Sequence, residues 1–221
     1  MLAKWRFERA LDKLRNSEHA VLRDYANADW PDAKTKASSA PYLALDFELD
    51  GLRKDAHLLE AGWLTFDGRT IPLSSARSVD IRSNATLDDE AVTIHGIGEQ
   101  RAAQGERIST VIATLVRALT GRVMVAHAAG IERHALQRAV KDIYGEDLPI
   151  RTVCTLTLEQ RLHPRVVGPA PYRLGPCRMR YGLPSYTAHA ALTDAIAAAE
   201  LYQAQLSRMA PGTALSEVEA R

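Results

Sequence analysis

Apolar positions recur at two periods along this chain, and the change of period marks its elements. In residues 3–15, Phe7, Ala10, Leu11 and Leu14 follow helical spacing, and Lys4, Glu8, Asp12 and Arg15 fall mostly on other faces. This predicts an amphipathic helix. Such a helix can lie on a membrane or dock on the protein's own core, and docking is the reading taken here. Residues 27–41, NADWPDAKTKASSAP, are polar and turn-rich and read as a linker. A strand is expected over 42–49. A second, over 57–68, ends in Asp67-Gly68, a hairpin signal, and 70–81 can return as a third. The period then becomes helical. Ile108, Val111, Ile112, Leu115, Val116 and Leu119 share one face, and Gly121 stands at the stop position. The almost wholly apolar RVMVAHA reads as a covered strand. A helix over 131–144, a strand in PIRTVCTLTL and an alanine-rich helix from about 190 to 207 complete the pattern.

Hairpins first and βαβα units afterwards predict an α/β protein, with a mixed sheet and helices on both faces. The expected organisation is an N-terminal helical extension and linker over 1–40, a main domain over 41–208, and a disordered tail over 209–221.

Composition narrows the function classes. The 221 residues are 46% hydrophobic and 25% charged, enough for an ordinary core. A formal net charge of +1 excludes a strongly basic nucleic-acid coat but leaves room for a local basic surface. Cys154 and Cys177 form no CxxC pattern, so neither a disulfide framework nor a zinc knuckle is indicated. No apolar run approaches the roughly 18 residues that span a bilayer, and the N-terminus lacks the apolar segment of a signal peptide. The expected location is cytoplasmic, with no membrane partner.

The chemistry begins in PYLALDFELDG, residues 41–51. Asp46, Glu48 and Asp50 alternate through an apolar run, which puts the acids on one face of a strand. Carboxylates inside such a run are costly unless a cation neutralises them, and hard oxygen ligands suit Mg²⁺ or Mn²⁺. A solvent-facing strand edge would also tolerate them, and periodicity alone leaves both readings open. Glu132 stands just beyond the RVMVAHA strand, where open α/β sheets place their sites, although a helix dipole also favours an acid there. HAALTDA, 189–195, sets His189 and Asp194 at the start of the last helix.

Taken together, these segments resemble the DnaQ-like 3′–5′ exonuclease family of DEDDh type, over roughly residues 42–205. DFELDGL is similar to the first motif, D-x-E-x-x-G-L. VTIHGI resembles the segment that follows it. AHAAGIERHAL resembles the second motif, commonly H-N-x-x-F-D, and HAALTDA matches the third, H-x-A-x-x-D-A. The second motif departs from the pattern at Ala128, Ile131 and Glu132, where asparagine, phenylalanine and aspartate are frequent. Cys154 likewise stands where many members carry aspartate.

The resemblance implies an RNase H-like fold with a mixed five-stranded sheet, and two divalent cations, Mg²⁺ or Mn²⁺, about 4 Å apart. It implies that Asp46 bridges the cations, that Glu48 and Asp194 complete the site of one, and that Glu132 holds the other. It makes His189 the general base. The implied substrate is a nucleic acid with a free 3′ end, in single-stranded form, and the product a nucleoside 5′-monophosphate. Leu49, Gly51 and Leu52 would hold the terminal nucleotide, with Asp50 beside the site and not a ligand; His95 would touch the nucleotide or serve as a satisfied structural histidine. Separately, the acid-free stretch 161–180 carries Arg161, Arg165, Arg173, Arg178 and Arg180. Read as a loop, it would either guide a phosphate backbone, with Arg173 and Arg178 as contacts, or be an ordinary solvated loop.

Two other readings compete. A catalytically weak or inactive nucleic-acid-binding or scaffold module could share the fold, but the intact set Asp46, Glu48, Glu132, His189 and Asp194 argues against it. An endonuclease or integrase of RNase H-like type would place an acid on the first strand, but does not predict the HxxxxD at the end. No clamp- or polymerase-binding tail is recognisable.

Overall fold

The computed structural model of the chain describes residues 2–51, 53, 56–83 and 96–220. Its centre is a five-stranded sheet of β1 (Tyr42–Leu49), β2 (Leu58–Phe66), β3 (Arg77–Asp80), β4 (Val123–Ala126) and β5 (Thr152–Cys154), in the order β3-β2-β1-β4-β5. The first three strands pair antiparallel, and β1–β4 and β4–β5 pair parallel. This is the mixed sheet that the order of the elements predicts.

Side-chain alternation along β1 divides the molecule into two layers. Leu43, Leu45 and Phe47 point to one face, under α1 (Leu2–Leu14), α2 (Ala20–Ala26), α4 (Ile108–Leu119) and α5 (Gly130–Tyr144). Leu11, Leu14, Leu22 and Tyr25 are buried in that layer, so the N-terminal helices belong to the domain core. Trp30, in the expected linker, packs edge-on against Phe7 and Tyr25. On the other face, Tyr42 and Ala44 meet Ala195, Ala199 and Tyr202 of α8 (Ala191–Leu206). The Tyr202 hydroxyl donates to that of Tyr42 at 2.8 Å. Among the described residues, α3 (Glu99–Gln104), α6 (Thr155–Leu162), α7 (Leu174–Arg180) and α9 (Leu215–Val218) complete the helices.

Three expectations are corrected. The third strand is shorter than 70–81, because residues 73–75 form a 3-10 turn. The Ser75 hydroxyl there takes both the N–H and the carbonyl of Thr65, the groups a longer β3 would have paired. The strand in PIRTVCTLTL stops at Cys154. Thr155, Leu158 and Glu159 are buried at i, i+3, i+4 spacing, so TLTL opens α6 instead. Residues 209–220 of the tail are ordered. Leu215 and Val218 are fully buried beneath the sheet, and the Ala220 N–H donates to the Thr152 carbonyl of edge strand β5 at 2.8 Å. Two apolar side chains at helical spacing in ALSEV supplied that signal, and the polar residues around them masked it.

Candidate active site

On the α8 face of β1 the apolar residues Tyr42 and Ala44 give way to Asp46 and Glu48. What covers these acids follows from β2. Asp46 pairs with Gly62, and α8 begins directly above it. A Cβ on Gly62 would lie 2.0 Å from the Leu192 nitrogen and 2.1 Å from the Ala191 carbonyl carbon. Only glycine admits this approach. It lets the first turn of α8 carry Asp194 down to the strand. Oxygens of Asp46, Glu48 and Asp194 all come within 4.8 Å of one another.

Asp50 leaves this group. The pairing register slips between Glu48 and Leu49, and Asp50 is buried in the turn beyond. One of its oxygens accepts the His57 N–H and the other meets His57 Nδ1, each at 2.7 Å. Gly51 follows at φ 143°, and Leu49 packs half-buried on the core. Leu52 and His95 lie outside the described residues.

Glu132 enters from the first turn of α5 and is 4% exposed, beside Ile131, which is exposed. Its Oε2 is buried without a hydrogen-bond partner. Burial raises its pKa to about 8, against a lowering by its own N–H. Burial also lifts Asp46 well above the usual carboxylate range, with further raising by the charges of Glu132, Asp194, Glu48 and Glu60. Glu48 rises to about 7, from burial first and then Asp194 and Glu60. Three converging carboxylates, with Glu132 outside their group but near enough for its charge to raise Asp46, form an arrangement a hard divalent cation relieves. The residues therefore fit the cations that the motifs imply.

His189 is exposed at the edge of the same cleft, a cavity of about 980 Å³ that also takes in Asp46, Glu48, Asp194, His127, Arg173 and Tyr186. Its backbone is left-handed, with φ 67°, and its N–H donates to Asp194 Oδ2 at 2.7 Å. Ala128, where the family pattern favours asparagine, is also left-handed at φ 62°. That backbone explains the pattern, since asparagine tolerates the left-handed region better than alanine.

The arginine-rich stretch is not an open loop. It contains the end of α6, a 3-10 turn at 170–172 and α7. Arg173 is exposed and lines the cleft. Arg178 is 2% exposed. Its Nη1 donates to the Ala197 carbonyl at 2.9 Å and to Glu200 at 2.6 Å, and its Nη2 donates to the Pro184 carbonyl at 3.1 Å. These bonds fasten α7 to α8 and correct the expectation that Arg178 contacts a phosphate. Arg180 likewise donates to the fully buried Glu159, at 2.7 Å.

Sequence reasoning passed over three residues here. Gly62, inside an otherwise bulky strand, signals close backbone approach. Glu60 pairs with Glu48 across the strands, is buried, and accepts the Ser78 hydroxyl at 2.6 Å. His127 ends β4's segment with Nε2 at 2.8 Å from the Tyr172 carbonyl and Nδ1 at 2.9 Å from the Thr155 hydroxyl. Burial holds its pKa below the usual imidazole value. The neutral ring, donating from Nε2, anchors one wall of the cleft.

The sequence model of the exonuclease family RNase T matches residues 43–202. The chain belongs to this exonuclease family. It is DnaQ-like, and its fold is RNase H-like. The DNA polymerase III subunit epsilon of Treponema pallidum is 25% identical over 170 residues, covering 76% of this chain and 78% of the relative. The solved structures that share the exonuclease fold include the following two. The nuclease domain of 3′hExo, a DEDDh family member bound to rAMP, superposes with a TM-score of 0.65 at 12% identity, covering 79% of this chain and 95% of that one. E. coli exonuclease I in complex with a dA16 oligonucleotide gives a TM-score of 0.67 at 14% identity and covers 77% of this chain. This exonuclease chain spans only 42% of that larger protein. No helix among the described residues is long and apolar enough to cross a membrane.

Proposed function

We propose that the protein is a metal-dependent 3′–5′ exonuclease that removes nucleoside 5′-monophosphates from the 3′ end of single-stranded nucleic acid. The observation that carries this reading is the convergence of Asp46, Glu48 and Asp194, with the buried Glu132 acting on Asp46 through its charge. Asp46, Glu48 and Asp194 would hold one divalent cation, and Asp46 with Glu132 a second. Bound there, Mg²⁺ or Mn²⁺ supplies Lewis acidity to the phosphate and lowers the pKa of water.

The remaining work falls to the chain's own residues. His189, at the cleft edge, takes the proton from the attacking water, a task suited to imidazole. The Asp194 carboxylate, bonded to the His189 N–H, fixes that residue's backbone next to the acids. Leu49 offers apolar surface to the terminal nucleotide, and Gly51 lets backbone approach it. Leu52 and His95 are proposed for the same terminal contact. Arg173, exposed on the cleft wall, pairs with a backbone phosphate. The location proposed is cytoplasmic.

The test uses 5′-labelled single-stranded DNA and RNA with Mg²⁺ or Mn²⁺. Shortening from the 3′ end that EDTA or Asp46→Ala abolishes supports the proposal. Binding without cleavage of every substrate, with either metal, refutes it.

A further inference from the structure

Both oxygens of Asp194 are held by the segment just ahead of α8. The Tyr186 hydroxyl donates to Oδ1 at 2.7 Å, and the His189 N–H donates to Oδ2 at 2.7 Å. The Tyr186 ring is itself fixed. The Arg178 guanidinium lies over it, 5.0 Å from the centroid, and the same guanidinium binds the Pro184 carbonyl and the α8 residues Ala197 and Glu200. Residues 184–189 are thus pinned at Pro184 by Arg178 and at Asp194 by two hydrogen bonds.

We propose that Tyr186 is a positioning residue for the cation site: its hydroxyl fixes the plane of the Asp194 carboxylate and, with it, the segment that carries His189. This rests on the reading of the acids as a cation site. A carboxylate offers about four lone-pair directions. Tyr186 and the His189 N–H occupy one on each oxygen and leave the others for a cation. One donor alone would let the carboxylate rotate about its bond to the chain, whereas donors on both oxygens set its plane. The hydroxyl donates in this contact, since the carboxylate oxygen accepts. The same bonds hold His189 at a left-handed φ of 67°, which an unrestrained histidine would leave.

Tyr186→Phe keeps the ring beneath Arg178 and removes only the hydroxyl. Mn²⁺ binding to the full chain is measured by calorimetry without nucleic acid, for the wild type, Tyr186→Phe and Asp46→Asn, alongside melting temperatures in EDTA and in Mn²⁺. The expected result is a loss of about tenfold in Mn²⁺ affinity for Tyr186→Phe, the scale set by outer-shell partners of metal ligands. Its melting temperature in EDTA stays near the wild-type value, and its rise on adding Mn²⁺ shrinks. Tyr186→Phe binding Mn²⁺ like the wild type overturns the proposal, including where the variant melts lower in EDTA, since that marks a packing role only. Wild type binding Mn²⁺ no better than Asp46→Asn overturns the site reading, and this proposal with it.

Discussion

Replacing Gly62 with alanine should disable the site without touching any of its acids. The added Cβ would lie 2.0 Å from the Leu192 nitrogen, 2.1 Å from the Ala191 carbonyl carbon and 2.4 Å from the Leu192 Cα, all backbone atoms that no rotamer change can move. Ordinary contact begins near 3.4 Å, so the start of α8 has to retreat from β2 by about 1.4 Å. Asp194 rides on that turn, and Asp46 is the residue paired with Gly62, so the retreat opens the Asp46–Asp194 approach directly. Overpacking of this kind costs about 1–3 kcal/mol of stability. A 1 Å misplacement in a reacting constellation costs about 100-fold in rate. The expected outcome is a folded protein with a lowered melting temperature, weaker Mn²⁺ binding, and at least about 100-fold slower release of nucleotides from a 3′ end. Activity and Mn²⁺ affinity within twofold of the wild type would refute the argument that close packing of α8 on β2 assembles the site.

Other perturbations probe separate parts of the account. Without metal, stability should fall as pH rises from about 4.5, the ordinary carboxyl value, through about 7 for Glu48 and about 8 for Glu132, because the folded state holds these protons longer than the unfolded one. Urea unfolding in EDTA at pH 5 and pH 8 reads this, and saturating Mn²⁺ should reduce the loss. Ala128→Gly should raise stability by about 1 kcal/mol in thermal melts, since it relieves a left-handed alanine. Arg178→Ala should destabilise by about 2–3 kcal/mol through three lost hydrogen bonds, whereas Arg173→Ala should leave stability unchanged and flatten the salt dependence of oligonucleotide binding. Deleting residues 214–221 should lower the melting temperature by removing Leu215 and Val218 from the core, each worth about 1.5–3 kcal/mol.

Much of the fold was legible because local pattern and tertiary packing agree. Five of the six apolar positions expected on one face of α4 are buried, with Ile108 at its start exposed; Gly121 stops that helix in a left-handed conformation, and RVMVAHA sits in a covered position. The placement of Asp46 and Glu48 on one face of β1 was legible from alternation, although a solvent-facing edge would have carried the same pattern. What stayed hidden depends on contacts between distant segments. Arg178 looked like a surface cation until Ala197, Glu200 and Pro184 were brought around it. Glu60 gains its influence only through pairing with Glu48, and Tyr186 only through α8 turning Asp194 toward it. The tail was misjudged because two buried side chains among polar residues are a weak signal, and a core partner decides their state. Asp50 was separable as well: period two alone groups it with Asp46 and Glu48, the motif resemblance leaves it beside the site in the turn toward Gly51, and the register slip after Glu48 puts it there.

The central claim is that Asp46, Glu48, Glu132 and Asp194 form a cation site for hydrolysis at a 3′ end. The most direct measurement is mass analysis of the products released in Mn²⁺ from a single-stranded oligonucleotide with a free 3′ hydroxyl, and from the same oligonucleotide blocked at that hydroxyl. The account predicts nucleoside 5′-monophosphates from the free strand alone, and none with Asp46→Asn. Internal fragments, equal release from the blocked strand, or undiminished release by Asp46→Asn would contradict it.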